Sequence, residues 1–284
     1  MNLADKDTIQ KIFQQYGIKP LESRGQNFLI NDEISNKIIA SACLSADDVV
    51  VEVGPGLGIL TRRLATTAKK ILAVEIDKKL AALLKKNFKE FNNIEIINED
   101  ILQAFSIRSE LQGINYKIVA NLPYNITSIF LRKFLTEKPG PKEMILMVQK
   151  EVAQRICARP GKMSLLSVSV QFYSRPEILF YVPRENFYPR PEVDSAVIKL
   201  SVNNTLLTDG TGVSEKEFFK TVKIGFSSRR KQLHNNFSAG FKIKNEAAKE
   251  LLTRAGLEET SRAQELTLKN WLVLVKLINK MVTP

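Results

Sequence analysis

Asn121-Leu122-Pro123-Tyr124-Asn125-Ile126-Thr127 follows an apolar run, Tyr116 to Ala120, that reads as a buried strand. A strand that empties into an amide, a proline and a tyrosine puts particular groups at its end. Asn121 supplies a side-chain carbonyl, and the main-chain carbonyl of Leu122 supplies a second acceptor. Pro123 biases Leu122 toward extended backbone and so fixes where that carbonyl points. Tyr124 offers a face for a base to stack on, a contact worth ~1–3 kcal/mol per base in single-stranded recognition. The same letters also suit an ordinary turn, with Tyr124 half-buried and Asn125 or Thr127 capping the next helix.

A second constellation lies upstream. VVVEVGPGLG, Val49 to Gly58, is a strand that runs into a glycine turn before a helix. Glycines permit positive φ and let a ligand approach the backbone, and the helix start supplies free N–H groups. Glu75, with Ile76 beside it, ends the next strand, near the ~20-residue offset at which a carboxylate accepts both hydroxyls of a ribose. The glycine spacing, at Gly54, Gly56 and Gly58, provides no pyrophosphate cradle. It resembles the S-adenosylmethionine turn of class I methyltransferases. In that architecture Asp100, after the third strand, accepts from the adenine amino group and Ile101 contacts the ring. The plainer readings are a turn that packs a helix on a strand, and a turn aspartate at position 100. Asp77 reads as a helix cap.

With a methyl donor at the glycine turn, the corner at Asn121 acquires a task. The lone pair of an adenine N6 is delocalised into the ring, so methylation gains from two acceptors that hold the amine near the tetrahedral geometry of its product. Asn121 and Leu122 provide them.

The elements that must position these groups alternate in type. Strands are expected at 48–53, 70–75, 94–97, 116–120 and 144–148, with helices at 59–65, 78–88, 127–135 and 151–158. That order predicts an α/β fold, a Rossmann-like class I methyltransferase sheet with helices on both faces. The period of Leu165 to Tyr173 does not decide between helix and strand, and strands at 178–182 and 195–202 could add an antiparallel edge. Asn203 to Gly212 is polar and glycine-containing, as a linker would be, and the remainder reads helical. The expected division is a methyltransferase domain, 1–206, and a small all-helical RNA-binding domain, 207–284.

Composition agrees with a folded protein that meets polyanions. The 284 residues are 44% hydrophobic and 25% charged, and the formal net charge is +12. Cys43 and Cys157, far apart in apolar contexts, together with the single His234, build neither a disulfide framework nor a metal site and read as reduced structural thiols. No apolar run approaches a membrane span and no signal peptide opens the chain, so a cytoplasmic protein is expected.

Several motifs in order carry a closer resemblance, from about Arg24 to the C-terminus. Gly25-Gln26-Asn27-Phe28-Leu29, the glycine turn, Glu75, Asp100 and Asn121-Leu122-Pro123-Tyr124 are joined by Phe187-Tyr188-Pro189-Arg190-Pro191-Glu192-Val193-Asp194-Ser195, a Phe-x-Pro-x-Pro-x-Val-x-Ser pattern. This set is similar to that of the ribosomal RNA adenine N6,N6-dimethyltransferases, most of all the bacterial small-subunit form. The resemblance implies that Gln26, Asn27 and Leu29 border the cofactor, S-adenosyl-L-methionine, and that Phe187 sandwiches the target adenine against Tyr124. It also implies that Arg229, Arg230 and Lys231 contact RNA phosphates, where the plain reading is a solvated basic face. A monomer acting on small-subunit (16S) RNA in a precursor 30S particle is expected. Arg24, Ile129 and the short Pro160-Gly161-Lys162-Met163-Ser164 loop depart from the family pattern. The alternatives are a large-subunit enzyme of the macrolide-resistance type, from which the basic cluster and long helical tail separate this chain, and a catalytically idle RNA-binding relative, which would not need Glu75, Asp100 and Asn121.

Overall fold

Apolar on both faces of the pleat, Val49–Val53 has to be covered twice, and a parallel sheet between layers of helix does so. The computed structural model describes residues 5–20, 25–202 and 212–282. In chain order the strands are β1 (Phe28–Leu29), β2 (Val49–Val53), β3 (Lys70–Val74), β4 (Ile94–Ile97), β5 (Tyr116–Asn121), β6 (Glu143–Gln149), β7 (Ser174–Val182), β8 (Phe187–Tyr188) and β9 (Ser195–Val202). The main sheet runs β4-β3-β2-β5-β6-β9-β7. Strands β2 to β6 pair in parallel, and β9 pairs antiparallel to β6, so the expected antiparallel edge is present. The order reverses direction at β2 and β5, and the crevice beyond the carboxyl ends of two such strands is where open α/β sheets bind ligands.

The helices are α1 (Lys6–Tyr16), α2 (Asp32–Ser41), α3 (Ile59–Leu64), α4 (Lys78–Asn87), α5 (Phe105–Glu110), α6 (Thr127–Thr136), α7 (Lys150–Ile156), α8 (Leu165–Tyr173), α9 (Glu215–Gly225), α10 (Leu233–Phe241), α11 (Asn245–Arg254) and α12 (Leu268–Val282). Among the described residues, those up to Ala153 with Arg175–Val202 form one compact unit, and Gln154–Ser174 with residues from 212 onward form a second. The expected linker at 203–212 and the boundary near 207 lie almost wholly outside the described residues, as does Arg24. The ambiguous segment at 165–173 is helical because Ser164 and Ser167 cap it reciprocally, each side chain meeting the other's backbone. Ser214 and Glu217 form the same box at the start of α9. In the helical unit Trp271 is fully buried, with Phe226 and Phe237 beside it, and a Cβ on Gly225 would fall 2.3 Å from the indole.

Four features of the first unit went unread in sequence: α1, α2, α5 and the antiparallel ladder of β1 with β8. Asp5 caps α1 and Asn31 caps α2, each accepting from a backbone N–H in the first turn. Helix α1 lays Ile9, Ile12 and Phe13 against Phe28, Leu57 and Leu80. Cys43 sits in an exposed turn at φ 42°, which removes it from the structural role expected of it.

At the opposite edge of the sheet, a buried charge pins the start of β5. The Lys117 ammonium donates to the carbonyls of Ala42 and Cys43 and lies 3.2 Å from the Asp48 carboxylate, which also accepts from Lys142 at 2.7 Å. Burial opposes the charge on Asp48, yet the hydrogen bonds from Lys142, Ser45 and Lys117 hold its carboxyl well below the usual range. Removing Lys117 strips the Ala42 and Cys43 carbonyls of their donor and leaves the buried Asp48 carboxylate with Lys142 and Ser45 alone. Lys117→Met is therefore expected to lower unfolding stability by about 3 kcal/mol, read as a lower urea midpoint, whereas exposed Lys89→Met should leave the midpoint in place.

Candidate active site

A cavity of about 210 Å³ opens at the carboxyl ends of β2, β3 and β5. Its wall includes Gln26, Asn27, Leu29, Gly54, Gly56, Glu75, Ile76, Asp100, Ile101 and the corner Asn121 to Tyr124, so the residues singled out in sequence for donor and acceptor roles share one space. Two expected site elements are elsewhere. Arg229, Arg230 and Lys231 lie on an exposed turn of the helical unit between α9 and α10. Phe187 is only 2% exposed, pairs with Leu29 in the β1–β8 ladder, and packs in the core with Val182 and Val197 without lining the cavity.

The glycine turn is shaped by close approach. Gly54, Gly56 and Gly58 all have positive φ, and a Cβ at Gly56 would press on the Phe28 ring at 3.1 Å. At Gly58 it would fall 2.5 Å from Phe88. The turn is tied to the acid of the next strand, since Gly56 N–H donates to Glu75 Oε2 at 3.1 Å. Asp77 N–H donates to Glu75 Oε1 at 2.9 Å, so both carboxyl oxygens are oriented by backbone. Burial nevertheless pushes the Glu75 carboxyl up. Asp77 caps α4, accepting from Lys79 and Leu80, as its plain reading held. Asp100 accepts from Leu102 N–H at 2.9 Å, Ile76 is 52% exposed and Ile101 is buried.

At the corner, Asn121 Nδ2 donates to the Asn27 carbonyl at 3.0 Å. That bond settles which end of the amide is nitrogen and leaves Oδ1 to present elsewhere. Leu122 is buried and donates its N–H to Met147. The Tyr124 hydroxyl meets Ser195 Oγ at 2.8 Å, which links the corner to the last residue of the proline-rich pattern. Burial raises the Tyr124 phenol above its ordinary range.

Glu52 had no role in the sequence reading, although a carboxylate inside VVVEV was its signal. It is 1% exposed, lines the cavity beside Glu75, and its Oε2 has no hydrogen-bond partner among the described residues. Burial, with the neighbouring Glu75 charge adding to it, pushes its pKa up to about 8. An orphaned buried acceptor, a paired carboxyl and a turn without side chains suit a ligand that carries hydroxyls and amines, and S-adenosylmethionine is such a ligand.

Fold, glycine turn and acid define a class I methyltransferase. The ribosomal RNA adenine dimethylase family model matches residues 4–280, and the chain belongs to that family. A "Ribosomal RNA small subunit methyltransferase A" of Dehalococcoides mccartyi is 43% identical over 265 residues, 93% of this chain and 90% of the relative. Among solved structures, a dimethyladenosine transferase from Plasmodium falciparum is similar at TM-score 0.76 and 27% identity, covering 89% of this chain and 98% of its own. The 23S rRNA methyltransferase ErmE is similar at TM-score 0.71 and 27% identity, covering 88% and 98%.

The raised pKa of Glu52 has a definite sign. Between an ordinary carboxyl value and about 8 the folded state holds a proton that the unfolded state has lost, so stability falls as pH rises through that window. Glu52→Gln removes the titration. Its stability relative to the unsubstituted protein should grow from pH 5 to pH 8, by at most about 1.4 kcal/mol per pH unit, in denaturant melts at each pH. A constant difference across that range would contradict the assignment.

Proposed function

We propose that this chain transfers methyl groups from S-adenosylmethionine to the N6 amines of adenines in small-subunit (16S) ribosomal RNA, giving N6,N6-dimethyladenosine, as the subunit matures. The observation that carries the reading is the shared cavity, which brings the Asn121 amide, oriented by Asn27, to the glycine turn and Glu75. The cofactor supplies an electrophilic methyl group on a sulfonium and departs as a neutral thioether.

The chain's own residues bind and align. Glu75 takes the ribose hydroxyls with the carboxyl oxygens that Gly56 and Asp77 already orient, and Asp100 takes the purine amine between Ile76 and Ile101. Asn121 Oδ1 and the Leu122 carbonyl accept the two N6 hydrogens, which favours a pyramidal amine with its lone pair on the donor. Tyr124, anchored by Ser195, stacks on the base. Alignment of this kind provides most of the acceleration in a direct displacement. The N6 proton leaves to the Asn121 carbonyl or to water, and the second transfer requires the monomethylated amine to turn within the corner. Phe187 acts at one remove by backing Leu29. The target base must be unpaired or extruded before it enters.

Arg229, Arg230 and Lys231 contact RNA phosphates, and the helical segment 207–284 carries the choice of particle. Small-subunit RNA is preferred as the target because the small-subunit relative is 43% identical, against 27% for the 23S enzyme. The protein acts as a cytoplasmic monomer on a precursor 30S particle; among the described residues no helix is long and apolar enough to cross a membrane.

Asn121→Ala and Tyr124→Ala should each lower methyl transfer to undermethylated small subunits roughly a hundredfold or more while cofactor affinity is largely kept. Labelled donor and calorimetric binding of S-adenosylmethionine check the two halves, and unchanged methylation in both variants would overturn the corner's role.

A further inference from the structure

The corner takes one base, but an unpaired strand arrives with nucleotides on either side of it. Three strands along the sheet from the corner, on β7, is an aromatic ring that the reaction does not use. Tyr181, the penultimate residue of β7, is 49% exposed, whereas Val182 after it is fully buried. The pleat thus sends the valine into the core and the tyrosine outward. The Lys150 ammonium lies 5.3 Å from the Tyr181 ring centroid. Lys150 leaves the carboxyl end of β6, where its N–H donates to the Asp194 carbonyl at 3.0 Å and its ammonium stands 3.5 Å from the Asp194 carboxylate. Asp194 precedes Ser195, the anchor of the Tyr124 hydroxyl. Contacts therefore run without a break from Tyr124 through Ser195, Asp194 and Lys150 to Tyr181. At the outer end stand an exposed ring, a cation with 44% of its side chain exposed, and Val193, itself 44% exposed.

We propose that Tyr181 and Lys150 form a second stacking platform, which receives the base of a nucleotide next to the target adenine while the ammonium meets its phosphate. An aromatic face with an adjacent cation is what single-stranded RNA uses for sequence-tolerant binding. Two rings, one at the corner and one on the surface, hold the strand at two points and so keep the target nucleotide out of its stack. The platform rests on the reading of Tyr124 as the ring against the target base.

Steady-state methylation of undermethylated small subunits by the unsubstituted protein, Tyr181→Ala, Tyr181→Phe and Lys150→Gln tests it, with cofactor binding and thermal melting of each protein measured alongside. Tyr181→Ala should raise the KM for the particle about tenfold, within the range of one stacked base, with kcat and cofactor affinity unchanged. Tyr181→Phe should restore the original KM. Lys150→Gln, which leaves the ring in place, should reduce the slope of log KM against log salt by about one. An unchanged KM in Tyr181→Ala, a loss that phenylalanine does not restore, or an unchanged salt slope in Lys150→Gln overturns the platform. Failure of the unsubstituted protein to methylate small subunits overturns instead the reading on which it rests.

Discussion

The hydrogen bond from Asn121 Nδ2 to the Asn27 carbonyl decides what the corner can do. An amide left to rotate would offer an incoming amine a donor or an acceptor indifferently, and only the acceptor is of use. With the nitrogen committed to Asn27, the oxygen is the end left free for the proposed role. Much of the first unit serves this bond. Asn121 ends β5, a central strand held in register on one side by β2 and on the other by β6, where it pairs with Met147. Asn27 is brought over the sheet by the short ladder of Phe28 and Leu29 with Tyr188 and Phe187, and Phe28 is packed in turn under α1. The proline-rich segment and the N-terminal segment, far apart in sequence, are thus both parts of one small ladder above the reacting corner.

Electrostatics divides between the site and the rest of the chain. The net charge of +12 favours approach of a polyanion, but the cavity floor holds two buried carboxyls, Glu52 and Glu75. Desolvation raises both, and the Glu52 Oε2 has no hydrogen-bond partner among the described residues. A buried carboxyl whose two oxygens are oriented by backbone N–H groups suits a ligand that carries hydroxyls, while a basic exterior suits RNA. Neither requirement needs to compromise the other, because burial confines the first and solvent exposure the second.

The legible parts of the sequence were those in which local pattern and tertiary demand agree. The runs at 49–53, 70–74, 116–121 and 143–149 are apolar over most of their length because both faces of a central parallel strand are covered, and turn, acid and corner follow from where such strands end. Less legible were elements whose signal is a contact. The segment at 165–173 has no decisive period, and a pair of serines settles it as helix. Helix α1 is amphipathic but mostly polar, and what fixes it is an aspartate cap and an apolar seat on Phe28. Phe187 is legible as part of a motif, but its burial beside Leu29 in a two-residue ladder is not. The partnership of Tyr124 with Ser195, 71 residues apart, could be seen only in three dimensions.

Identifying the modified atom tests the central claim most directly. Undermethylated small subunits would be incubated with the protein and labelled S-adenosylmethionine, and the RNA digested to nucleosides and resolved by mass. The account predicts label in N6,N6-dimethyladenosine, with the N6-monomethyl nucleoside preceding it in time. Label on a ring nitrogen, a ribose oxygen or a pyrimidine would contradict a corner built to hold an exocyclic amine between two carbonyls.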